Sequence, residues 1–144
     1  NKKYAVAHSR YSLLYESMQG KPMTKSLFER IGGETAVKST VIKMYGKILD
    51  DDALAPFFED IDVDKLRLSQ SAFVTYAFGG PNHYTGKSLR HAHASAVSQG
   101  MTGMHFDRVA AHLQSAMEEL NVPADLIAEA LAIVGSTRAD VLGQ

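Results

Sequence analysis

Apolar residues recur at spacings of three and four along most of the chain, without the strict alternation that marks a strand. The clearest run follows Gly32-Gly33. Val37, Val41, Met44, Tyr45 and Ile48 fall on one face of a long helix that starts at Glu34 and that Asp50-Asp51-Asp52 ends. Three carboxylates suit a helix C-terminus poorly, so that triplet reads as a solvated turn. Ala55-Pro56-Phe57-Phe58 is a connector, and a second helix is predicted from about Asp62 to Phe78, with Leu66, Gln70, Phe73 and Ala77 on one face. Two long helices close the chain. One spans about Gly103 to Leu120, with Phe106, Val109, Leu113, Ala116 and Leu120 inward, and the other about Pro123 to Leu142, with Ile127, Leu131, Val134 and Val141 inward. Pro123 suits a first-turn position.

Shorter elements fill the gaps. Ser26-Leu27-Phe28-Glu29 fits the S-x-x-E capping box and opens a short helix that Gly32-Gly33 stops. Gly79-Gly80-Pro81-Asn82 breaks the chain, and a loop through Gly86 leads to a short helical stretch with Leu89, His91 and His93. Residues 1–24 read as an N-terminal extension in which Leu13, Leu14 and Met18 have helical spacing, ended by Gly20 and Pro22. Residues 25–144 then form one all-α domain.

Composition removes many function classes. A chain of 144 residues, 45% of them apolar, has room for one sizeable core and not for two domains. A formal net charge of -1 gives no basic face for nucleic acid or acidic membranes. The lack of cysteine excludes disulfides, zinc thiolate sites, iron–sulfur clusters and a thiol nucleophile. No apolar run approaches the roughly 18 residues of a membrane span. Asn1 to Val6 lack the apolar core of a signal peptide, so a cytoplasmic protein is expected. No H-E-x-x-H, G-x-S-x-G or P-loop is present, and no two of the six histidines stand four apart as a helical metal pair would.

Two polar residues lie on apolar faces. Tyr45 is on the inward stripe of the first long helix, and Gln70 on that of the second, between Leu66 and Phe73. A buried amide or hydroxyl left unpaired costs about 1–3 kcal/mol. These two either bond each other or the backbone, or share a polar guest. Judged by pattern alone, His93 is no more eligible as a ligand than His8, His83, His91, His105 or His112, and a core or surface histidine accounts for it equally well.

Ser26-Leu27-Phe28-Glu29-Arg30-Ile31-Gly32-Gly33, Met44-Tyr45, Phe57-Phe58, Gly79-Gly80-Pro81-Asn82-His83-Tyr84-Thr85-Gly86 and Ala92-His93, in this order and spacing, resemble the group I truncated haemoglobins. The likeness runs from about Ser26 to Leu142. It implies a 2-on-2 helical sandwich around haem b (iron protoporphyrin IX), with an extended loop in place of most of the usual proximal helix. By resemblance, His93 is the iron ligand, Tyr45 the distal hydroxyl that donates to bound dioxygen, and Gln70 a second donor or a support for Tyr45. Phe58 stacks on the haem face, Leu66 makes an apolar pocket gate, and Tyr84 packs near the haem edge. Some relatives carry a basic or histidine residue just before the glutamine, where this chain has Ser69, so iron ligation from the distal side is not expected unless Lys65 swings in. The implied ligands are dioxygen, nitric oxide and carbon monoxide. The implied function is reversible gas binding with nitric oxide dioxygenase activity, sustained by a separate reductase. A haem-based gas sensor or an oxygen store is the alternative, and a monomer is expected.

Overall fold

The computed structural model describes residues 25–81 and 86–144. The extension 1–24 and the aromatic Tyr84 lie outside the described residues.

Among the described residues the fold is entirely helical: α1 (Leu27–Ile31), α2 (Gly33–Leu49), a 3-10 turn (Ala55–Phe58), α3 (Val63–Ala77), α4 (Gly86–Ser98), α5 (Gly103–Glu119), α6 (Ala124–Gly135) and α7 (Arg138–Leu142). Helix α2 crosses α5 and packs on α3, while α5 packs on α6, giving two helix pairs laid over each other. Val37, Val41, Met44 and Ile48 from α2 meet Leu113, Ala116 and Met117 from α5 in the core, with Phe73, Val74, Ile127 and Ala130. The spacing of three and four on α2 puts that whole stripe on the buried side.

Turn chemistry sets the joints. Ser26 Oγ accepts from the Glu29 N–H at 3.2 Å and starts α1. Gly32 then takes φ +121°, which a side chain would strain, and α2 begins at the next residue. At the far end of α3, a Cβ on Gly80 would stand 2.7 Å from the Phe28 ring, so only glycine lets α1 lie this close. The Phe28 N–H donates to the Phe78 carbonyl at 2.8 Å across the same joint.

The structure corrects the sequence reading in four places. The final helix is not continuous to Leu142 but breaks between α6 and α7. Ser136 Oγ and Thr137 Oγ1 donate to the carbonyls of Ile133 and Val134 at 2.5 and 2.7 Å, offering the backbone an alternative to continuing the helix. Pro123 sits at the N-cap of α6 rather than inside its first turn. The segment carrying His93 is a helix of 13 residues, longer than the short stretch expected. The acidic triplet is only partly solvated: Asp50 and Asp52 are exposed, but Asp51 is buried.

Candidate functional site

Tyr45 sits on the buried stripe of α2 at 4% exposure. Burial alone pushes its phenol well above the ordinary tyrosine range, so it is a neutral hydroxyl with a proton to donate. The Phe58 ring meets it edge-on, with centroids 5.8 Å apart and planes at 84°. Phe58 is aimed there by the 3-10 turn, which Pro56 opens and the buried Leu54 anchors. Leu66 and Gln70 stand on α3, both half-buried, with Leu66 packed against the core. Helix α3 is started by Asp62, whose Oδ1 accepts from the N–H groups of Asp64 and Lys65 at 3.0 and 3.3 Å. Ser69 and Lys65 are exposed on that helix.

His93 lies half-buried on α4, while His91 is exposed. Helix α4 packs mainly on α7, and Arg90 ties it there by donating to Asp140 Oδ1 and to the Gln144 carbonyl, both at 3.0 Å. Tyr45 and Phe58 are thus brought into contact, Leu66 and Gln70 share one face of α3, and His93 stands on a helix with different neighbours.

These donors fit haem. Among the described residues no three His, Cys, Asp or Glu side chains gather as a cage for a bare metal ion. A single imidazole suits an iron whose other ligands come from a macrocycle. A large apolar group also needs apolar walls, and Phe58, Leu66, Phe106, Val109 and Leu131 are apolar side chains that the protein covers only in part.

Periodicity missed one group. Asp51 at the end of α2 is 7% exposed. Arg108 of α5 grips its carboxylate with two bonds, Nε to Oδ2 at 3.0 Å and Nη2 to Oδ1 at 2.9 Å. His112 Nε2 meets Oδ2 at 2.7 Å, and the Ala53 N–H donates to Oδ1 at 2.9 Å. Hydrogen bonds from Arg108 and then His112 hold the carboxyl well below the usual carboxylate range. The signal was Arg108 and His112 themselves, two potential cations one helical turn apart without an acid between them.

The comparisons with known proteins agree. Residues 26–142 match the family model described as bacterial-like globin. A group 1 truncated haemoglobin of Synechocystis sp. is 46% identical over 122 residues, covering 83% of this chain and 98% of its own. The crystal structure of the 2/2 haemoglobin of Synechococcus sp. PCC 7002, in the cyanomet state with covalently attached haem, is 44% identical with a TM-score of 0.78, covering 83% of this chain and all of that one (100%). The truncated haemoglobin of Tetrahymena pyriformis, in its Fe(III) form, is 36% identical with a TM-score of 0.76 over the same 83% and 100%. A 2-on-2 helical fold, a haem-compatible donor set and these likenesses agree: the chain belongs to the bacterial-like globins, as a group 1 truncated haemoglobin that binds haem and a gaseous ligand.

Proposed function

We propose that this chain holds haem b through His93, retains dioxygen with Tyr45 and Gln70, and turns nitric oxide into nitrate. The observation that carries this reading is the state of Tyr45: a buried, neutral phenol, raised by burial alone and touched at its ring by Phe58. Such a hydroxyl has its proton free for a guest. A gaseous ligand that gains partial negative charge when bound, as dioxygen would, would accept a hydrogen bond from that hydroxyl, whereas carbon monoxide would do so poorly. Gln70 adds a second donor or steadies the first, and Phe58, Leu66 and Tyr84 supply apolar contacts to the macrocycle.

When bound, haem would supply a ferrous iron able to bind diatomic gases and to use dioxygen as the oxidant of nitric oxide. The overall balance is one nitric oxide, one dioxygen and one electron to one nitrate. The electron comes from a separate one-electron reductase. No proton moves, so no catalytic carboxylate is required. Leu66, an apolar side chain half-buried on α3, would keep the distal side apolar, which suits approach of a small uncharged radical. We place the haem domain at residues 25–144, appended to the 1–24 extension, as a cytoplasmic monomer.

The test is stopped-flow mixing of the dioxygen complex with ligand competitors, then with nitric oxide under reductant supply. A hydrogen bond to a charged acceptor is worth about 1.5–3 kcal/mol, so Tyr45→Phe should release dioxygen roughly tenfold to a hundredfold faster. Carbon monoxide release should barely change, and Gln70→Leu should have a smaller effect. The wild-type protein should consume nitric oxide for many cycles. Equal acceleration of both gases would mean that Tyr45 controls access instead, and failure to cycle would leave a sensor or a store.

A further inference from the structure

The corner between α2 and the 3-10 turn joins the helix of Tyr45 to the residue that packs on it. Asp51 organises that corner with both its backbone and its side chain. Its carbonyl accepts from the N–H groups of Leu54 and Ala55 at 2.9 and 2.8 Å, and its Oδ1 accepts from that of Ala53. The same carboxylate is gripped from across the core by Arg108 and His112. One turn earlier on α5, the His105 ring meets Phe57 edge-on, with centroids 4.9 Å apart. Positions 105, 108 and 112 share one face of α5, so a single helix surface holds residues 51–57.

A charge is not needed to make this turn. An amide at position 51 would still accept from the Ala53 N–H and would keep the backbone bonds. The carboxylate is needed for the grip of α5, where a fork of two N–H groups and an imidazole converge on it. The grip fixes where the corner sits, and the corner fixes where Phe58 sits. Phe58 in turn limits how far the Tyr45 ring can tilt. A donor of this kind acts only when held to within about 0.5 Å of its working position.

We propose that Asp51, held by Arg108 and His112, is a positioning residue that sets Phe58 against Tyr45 and thereby orients the Tyr45 hydroxyl toward a gaseous ligand. This rests on the reading of Tyr45 as the donor. Helix α5 is then a determinant of dioxygen retention through the hydrogen bonds and ring contact that its three residues make with the corner.

The experiment measures dioxygen and carbon monoxide release from the haem-loaded wild type, Asp51→Asn, Tyr45→Phe and the double variant. Asp51→Asn should speed dioxygen release by about threefold to tenfold, within the range of coupling between residues of one packed network, and leave carbon monoxide release unchanged. Added to Tyr45→Phe, it should cause no further increase, because the donor it positions is gone. A purely structural role would change haem uptake or melting without changing the ratio between the gases. The proposal is overturned if Asp51→Asn leaves dioxygen release unchanged, or if its effect persists in full beside Tyr45→Phe. If Tyr45→Phe itself does nothing, the donor reading fails, and this proposal falls with it. Should Asp51→Asn not fold, Arg108→Gln and His112→Gln, whose side chains are 49% and 24% exposed, carry the same test with the same expected ratio.

Discussion

The helix that bears Tyr45 and the helix that bears His93 are held in opposite ways. On α2, six residues from Val37 to Ile48 are buried, Tyr45 among them, and the helix packs on α1, α3 and α5. On α4, none of the residues 90–98 is buried, and its main neighbour is the five-residue α7. Each buried Val, Ile or Met side chain contributes about 1.5–3 kcal/mol by leaving water, so α2 is ordered by protein contacts alone. Residues 90–98 of α4 lack that source of order. A bond from His93 to iron would supply it, and the cofactor would then join the less secure helix to the more secure one.

The sharpest way to break this comparison is to remove the bond. His93→Gly should weaken haem binding by more than the roughly 10–100-fold that loss of an outer partner of a metal ligand causes, and added imidazole should restore the spectrum. Titration of the apoprotein with haem, followed by absorption, gives the number. Unchanged ferrous and carbonyl spectra in His93→Gly would remove the assignment and the comparison together.

The same contrast explains what could be read in the sequence. The core face of α2 was legible at Val37, Val41, Met44, Tyr45 and Ile48, because a helix crossing a core must repeat at three and four. Leu66, Gln70 and Phe73 were placed on one face of α3 for the same reason. His93 was not legible from periodicity, because residues 90–98 of α4 bury no stripe from which to judge it. The role proposed for it came from the glycine-rich motif and the spacing shared with a family. Asp51 was hidden by its neighbours: a carboxylate between two exposed carboxylates looks solvated, and only the long-range partners on α5 distinguish it. The break after Gly135 was signalled by Gly135-Ser136-Thr137, all poor helix formers, but two apolar stripes in register on either side masked it.

Removing the cofactor sharpens the comparison at somewhat smaller scale. Local opening free energies range from near zero up to the global stability, and a ligand raises them where it binds. In apoprotein, amides of residues 93–98 should exchange at least about a hundredfold faster than in the haem-loaded protein, equivalent to about 2.7 kcal/mol of lost protection. Amides between Val41 and Ile48 should change by less than about tenfold. Hydrogen exchange read by mass spectrometry separates the two segments. Equal loss in both would mean that α2 also depends on haem and that its packing does not stand alone.

The smallest expected effect concerns the tether that α4 does have. Arg90 lies one turn before His93 and pairs with Asp140 of α7 at 3.0 Å, with both side chains 46% exposed. Arg90 also donates to the Gln144 carbonyl, so cutting it frees two contacts at once. Were these contacts what positions His93, their loss would rival His93→Gly. Ion pairs at this exposure contribute about 0–1 kcal/mol, since water competes for both partners and two long side chains must be immobilised. Arg90→Ala should therefore speed haem loss by less than about fivefold, and the difference should shrink further in concentrated salt, which screens exposed charges. The measurement is haem transfer to an excess of an acceptor globin at low and high ionic strength. A large, salt-independent acceleration would show that α4 is held by its own contacts with α7, and the iron–histidine bond would then no longer be its principal anchor.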